Sequence, residues 1–338
     1  MANYCADRYG AGMTGRHIKI FATGGTIAGK AGSATSRDYI PGQIGVDELL
    51  AEVALLGLPA TLVGTQFASI GSEDIGPALW HQLHDACVSA MAEDDCFGII
   101  ITHGTDTAEE TAFLFDQTLP TTKPVILVGA MRAADAVGSD GMRNFANAVR
   151  VAGDAEAAGR GVLLVMSDHI FAARDVRKAR TEGVDAFRGF PRGPVGHVTP
   201  TSLEWFGPPW RSGEAARFEF RQDMPKVIIL YAYAGMPGED VAAAVRGGVR
   251  GLVLAGFGQG NAPAAVREAL AQAVQAGVPV VRASRVDQGL VDREPDDDDN
   301  GFIAARALGP AKSRILLQLL LANGITDPIR QQVAFDRR

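Results

Sequence analysis

The sequence predicts an α/β protein of two domains. Short apolar runs alternate with amphipathic stretches of helical spacing, the βαβα order that builds a parallel sheet with helices on both faces. The later apolar runs of the first half are continuous rather than alternating, as strands covered on both sides require. The alternation lapses once, over 181–225, and then resumes. This divides the 338 residues into a domain at 17–200, a linker at 201–225 and a smaller α/β domain at 226–338. The larger, N-terminal domain reads as flavodoxin- or Rossmann-like.

The elements follow in order. The first strand, 17–23, is an apolar run halted by Gly24-Gly25, residues suited to a tight turn. Helical patterns at 46–55, 74–92, 107–119 and 141–157 alternate with strands at 61–70, 97–102, 124–129 and 161–167. Gly, Pro, Arg and aromatic residues dominate 181–225, which reads as a connection holding a hairpin. Beyond it, strands at 226–233, 251–255 and 278–283 alternate with helices at 240–246, 263–276 and 310–322. Leu316, Leu319 and Leu320 in the last helix are core candidates.

Composition narrows the function. Apolar residues make up 47% and charged ones 21%, ordinary for a globular chain. A net charge of −7 argues against a general nucleic-acid binder. No apolar run reaches membrane-spanning length, and the first sixteen residues lack the apolar core of a signal peptide. Cys5, Cys87 and Cys96 have no metal-type spacing, and their odd number suits a reducing cytoplasm. The periplasm is the alternative if a leader has been removed. Six scattered histidines give no zinc signature.

In open parallel sheets, ligands sit beyond the carboxyl ends of the strands. Here those ends carry Thr26, Ser72-Glu73-Asp74, Thr105-Asp106, Ala130-Met131-Arg132 and Asp168. Two threonines beside glycines suggest a hydroxyl that attacks a substrate, given a neighbour to take its proton. Asp106 and Asp74 also fit helix N-caps, Asp106 opening a capping box with Glu109.

These residues resemble the bacterial-type L-asparaginases, the asparaginase/glutaminase family with threonine nucleophiles. Residues 22–29 resemble the family's TGGTIAG signature and 101–111 its ITHGTDTxEET signature. Further matches fall at 71–74, 128–132, 174–178, 258–261 and 284–286. The resemblance implies that Thr26 is the nucleophile toward the side-chain amide of L-asparagine, with L-glutamine a lesser substrate. It implies that Tyr39 on a lid loop bonds the Thr26 hydroxyl, and that Lys178 and Asp106 polarise Thr105 and, through it, a water. Gly25, Ser72, Glu73, Thr105, Asp106 and Ala130 would hold the substrate, Ala130 through its backbone carbonyl. Asn261 and Glu294 would be lent to the site of a neighbouring subunit in a homotetramer, a dimer of dimers. No metal or organic cofactor is implied. Glu73 stands where many members carry Gln.

Two motifs lead elsewhere. Residues 24–30 fit the frame of a phosphate-binding loop, but Ala31 stands where Ser or Thr should hold magnesium and 31–39 has no apolar face. Residues 296–301 open like an EF-hand loop, but the closing acidic position falls at Ala307, so a solvated acidic turn is expected. A non-catalytic sensor on the same fold would be expected to lose Thr26, Thr105 or Lys178, and all three are present.

Overall fold

The structure is a computed structural model, describing residues 16–33, 39–55, 60–199, 201–210 and 216–337; the Tyr39 side chain lies outside the described residues. The chain forms two units, the first ending at Arg217 and the second beginning at Phe218.

In the first unit β1 (His17–Gly24) is followed by the short β2 (Lys30–Ala31) and β3 (Tyr39–Ile40). Then come α1 (Val46–Ala54), β4 (Thr61–Ile70), α2 (Pro77–Ala92), β5 (Cys96–Thr102), α3 (Ala108–Thr118), β6 (Val125–Val128), α4 (Gly141–Ala152) and β7 (Val162–Met166). Five short strands close the unit: β8 (His169–Ala172), β9 (Val176–Lys178), β10 (Phe187–Gly189), β11 (Gly196–Val198) and β12 (Leu203–Trp205).

Eight strands form one sheet in the order β12-β11-β8-β7-β6-β5-β1-β4. The stretch from β4 to β7 is parallel, and β8, β11 and β12 are added antiparallel. Across its parallel part the sheet therefore runs second-first-third-fourth-fifth. Winding reverses between β1 and β5, the crevice where open sheets place their ligands.

Alternation along the strands builds two apolar faces. Ile18, Ile20, Ile100, Ile126, Val128, Leu163 and Val165 pack in one cluster with Val46, Leu49 and Val53 of α1 and Phe145, Ala148 and Val149 of α4. Their alternates Ile99, Ile101, Val125, Leu127, Val162 and Leu164 are buried as well. Each such side chain contributes about 1.5–3 kcal/mol through burial. The free thiols Cys87 and Cys96 are buried, and desolvation raises the pKa of both.

The structure departs from the sequence expectations at several points. Helix α2 starts at Pro77 behind Gly76, so Asp74 ends a 3-10 turn instead of capping the helix. Helix α3 is preceded by Thr107, so Asp106 is not its cap either. Helix α4 stops at Ala152; Gly153 and Asp154 separate it from a 3-10 turn at Ala155–Ala157. The span read as a connection holding a hairpin does contain one, the antiparallel pair β11–β12, but it also contains β10, and the hairpin is part of the large sheet with β12 at its edge. The β7–β8 hairpin turns on Ser167 and Asp168, both at positive φ (51° and 63°), without the glycine that such turns usually announce. Arg143 and Asn147 hold the Asp168 carboxylate at 2.8–2.9 Å, and the Arg143 guanidinium keeps its pKa low.

The second unit contains β13 (Val227–Tyr231), α5 (Glu239–Arg246), β14 (Gly251–Gly256), α6 (Ala264–Gln275), β15 (Val280–Ser284), α7 (Pro295–Asn300), β16 (Ile303–Ala304), α8 (Pro310–Ala322) and α9 (Pro328–Asp336). Its four strands are parallel and lie in chain order. Leu316, Leu319 and Leu320 of α8 are fully buried. The acidic segment 296–301 is not a solvated turn. It forms most of α7, and Asp297 is buried against Arg282. Among the described residues no helix is long and apolar enough to cross a membrane.

Candidate active site

The carboxyl ends of β1 and β5 open into a cavity of about 870 Å³ in the first unit. Gly25, Thr26, Ser72, Glu73, Thr105, Asp106 and Lys178 line it, together with Met131, Arg132 and Glu182.

Thr26 begins a 3-10 turn, Thr26–Ala28, directly after β1 and is almost wholly buried. Gly25 before it has φ 75°, and a Cβ there would stand 2.5 Å from the Gly104 backbone. Only glycine lets the loops after β1 and β5 approach this closely. The Gly25 amide donates to the Ile70 carbonyl at 2.9 Å, which ties this turn to the end of β4.

Ser72 ties the end of β4 to the start of α3. Its hydroxyl accepts the Asp106 and Thr107 amides at 3.1 and 3.3 Å, and its carbonyl accepts the Thr107 hydroxyl at 2.7 Å. Ser72 thus satisfies the two amides just ahead of helix α3 from outside the helix. The Asp106 carboxylate is left to face the cavity, where Lys178 meets it at 2.5 Å. Lys178 Nζ also donates to Thr105 Oγ1 at 2.9 Å. Lys178 is 17% exposed and Asp106 60%, so the lysine is walled in and the carboxylate stays open.

Ala130 is buried, and the loop after it hangs from Asp140. The Asp140 carboxylate accepts the Met131 and Arg132 amides at 3.0–3.1 Å, and Asn144 links it to the Gly129 carbonyl. Buried His103 supports the other wall. Its Nδ1 donates to the Gly104 carbonyl at 2.6 Å, leaving Nε2 to accept from Thr111, whose hydroxyl in turn accepts the Trp80 indole N–H. Burial lowers the His103 pKa to about 4, so the ring is neutral near pH 7. Asp140, Asn144 and Trp80 escaped the sequence reading because their partners are backbone groups or lie far along the chain.

The structure thus brings Gly25, Thr26, Ser72, Glu73, Thr105, Asp106 and Lys178 to one cavity. The base of the expected lid is an antiparallel pair, Lys30 with Ile40 and Ala31 with Tyr39. Residues 34–38 and the Tyr39 side chain lie outside the described residues. Asn261 and Glu294 belong to the second unit. Asn261 is exposed after β14, in a backbone bridge with Phe257, and Glu294 caps α7.

Residues 17–211 match the family model "Asparaginase, N-terminal", and 226–335 match "Glutaminase/Asparaginase C-terminal domain". The chain is 40% identical to "L-asparaginase 2" of Escherichia coli over 97% of its length and 95% of that protein. It is 39% identical to "Probable L-asparaginase periplasmic" of Haemophilus influenzae over 94% of its length and 91% of that protein. The solved structure of a probable cytoplasmic L-asparaginase from Campylobacter jejuni superposes with a TM-score of 0.90 at 35% identity, covering 95% of this chain and 99% of that one.

Proposed function

Because this chain belongs to the bacterial-type L-asparaginase family, we propose that it is a hydrolase converting L-asparagine and water to L-aspartate and ammonia. The observation that carries the reading is the contact of Lys178 with both Thr105 and Asp106 in the cavity that holds Thr26.

Thr26 Oγ attacks the side-chain amide carbon, the C–N bond breaks, ammonia leaves, and a threonyl ester remains. Water then attacks the ester carbon, the C–Oγ bond breaks, and the Thr26 hydroxyl is restored with aspartate. A neutral threonine is a weak nucleophile and water a weaker one, so both steps need proton transfer. Lys178 and Asp106 polarise Thr105 and through it the water, and Tyr39 bonds the Thr26 hydroxyl. Ser72, Glu73 and Asp106 hold the α-carboxylate and α-ammonium, and the Ala130 carbonyl receives the leaving nitrogen. Asn261 and Glu294 complete the site of a neighbouring subunit in a homotetramer. These residues supply nucleophile, proton path and binding groups, so the mechanism calls for no cofactor. A lesser glutaminase activity fits the name of the C-terminal family model. The buried free thiols suit a reducing cytoplasm.

The test is ammonia release from asparagine and glutamine by the wild-type protein and by Thr26→Ala. The wild type should prefer asparagine, and a folded Thr26→Ala should bind aspartate yet turn over nothing. Near-normal turnover by that variant would remove Thr26 from the mechanism; an inert wild type would sink the assigned activity.

A further inference from the structure

Arg282 on β15 is 3% exposed and its partner Asp297 1%, so both charges are out of water. The guanidinium takes both carboxylate oxygens of Asp297, through Nε and, at 2.5 Å, through Nη2. It also donates to the Gln259 carbonyl at 2.8 Å and the Asp292 carbonyl at 3.0 Å. Asp297 Oδ2 in turn accepts the Glu294 amide at 2.9 Å, and the Asp292 amide reaches Gln259 Oε1 at 3.2 Å. One guanidinium therefore joins the loop that carries Asn261 to the segment that carries Glu294.

Stability is a poor reason for such a pair. Desolvating two charges offsets most of their attraction, and well-packed apolar residues often serve as well. Apolar residues cannot fix the direction of two loops at once. A planar fork that binds a carboxylate on one edge and backbone carbonyls beside it can.

We infer that Arg282 and Asp297 are positioning residues that set Asn261 and Glu294 in register with each other for substrate. This rests on the reading of those two as asparaginase site residues. If they bind the amino-acid end of the substrate, loosening them weakens ground-state and transition-state binding together. KM then rises more than kcat falls.

The test uses the full-length protein and steady-state kinetics on asparagine. The variants are Arg282→Met/Asp297→Leu, Arg282→Lys, Asn261→Ala/Glu294→Ala, and Arg282→Lys combined with Asn261→Ala/Glu294→Ala. The Met/Leu protein should keep a cooperative thermal transition while KM rises about tenfold or more, the scale on which misplaced binding groups act. Arg282→Lys keeps the charge without the fork and should show the same KM-weighted loss, which keeps the test open if the Met/Leu protein does not fold. Placed on the Asn261→Ala/Glu294→Ala protein, Arg282→Lys should cost little more, because its effect passes through groups already gone.

Unchanged KM in a folded Met/Leu or Lys variant would overturn the proposal, as would a full additive loss in the combined protein. An inactive wild type would overturn the assigned activity, and the proposal with it. An active wild type unaffected by Asn261→Ala/Glu294→Ala would overturn the roles of those two residues, and again the proposal. Impairment by Asn261→Ala/Glu294→Ala alone, without non-additivity, would refute only the positioning role.

Discussion

Two charge pairs, one in each unit, are built from similar groups and treated oppositely. Lys178 and Asp106 meet at a cavity wall with the carboxylate 60% exposed, whereas Arg282 and Asp297 are sealed at 3% and 1%. The half-open pair has one walled-in ammonium that donates to the Asp106 carboxylate and to the hydroxyl of Thr105. The sealed pair uses a rigid fork and spends its donors on a carboxylate and two carbonyls. Under the proposed mechanism the first pair has to reach water and substrate, whereas the second, as a brace between loops, needs neither. A lysine ammonium, a compact point charge, suits the first task, and arginine's planar fork suits the second.

The largest effect expected from this contrast is at the open pair. Lys178→Met should lower kcat by about 10²–10⁴-fold with little loss of substrate binding, the usual scale for general acid–base help. A stopped or continuous ammonia assay at saturating asparagine measures it, and a kcat within a few-fold of wild type would reduce Lys178 to a structural ion pair.

Asp140 is the sealed pair's counterpart in the first unit, a buried carboxylate occupied by backbone amides. Asp140→Ala releases the Met131 and Arg132 amides and with them the carbonyl of Ala130. The expected loss in kcat/KM is about a hundredfold, comparable to misplacing a reacting group by an ångström. Asp140→Asn keeps two acceptor lone pairs and should recover part of it. Equal losses in both variants would show that the shape of the loop does not depend on those hydrogen bonds.

His103 should show the smallest effect, on stability rather than rate. Its folded pKa, about 4, lies below the ordinary 6.5, so the unfolded chain binds the extra proton first as pH falls. The stabilisation is complete above about pH 6.5 and is lost toward pH 4. Its slope is at most about 1.4 kcal/mol per pH unit. Denaturant titrations across that window, wild type against His103→Gln, should differ by up to one proton. Parallel curves would mean that the imidazole charges without cost.

Much of the fold was legible because periodicity reports burial. The ten-residue strand Thr61–Ile70 and the helix Pro310–Ala322 have the bounds their patterns gave. Tight turns hid other parts. Ser167-Asp168 adopts two positive φ angles with no glycine, so the antiparallel extension of the sheet had no local announcement. The short strands β10, β11 and β12 have three residues each, too few for a period. The site divided in the same way. Thr26 and Thr105 stood out at strand ends, but Lys178 looked like one member of a solvated basic run until the resemblance singled it out. Asp297 looked like one carboxylate in a solvated row. What distinguishes it is the guanidinium of Arg282, which only the folded chain brings near.

The winding order of the sheet also carries a consequence for how the protein comes into being. Thr26, Ser72, Thr105 and Lys178 arrive from β1, β4, β5 and β9, so the cavity spans nearly the whole first unit. A chain still emerging from the ribosome, or refolding from denaturant, assembles the two threonines once β1 and β5 pair, yet lacks its lysine until β9 docks. Turnover regained during refolding would therefore lag the return of helical and strand signals, first by the docking of β9 and then by the subunit assembly that the proposed site requires.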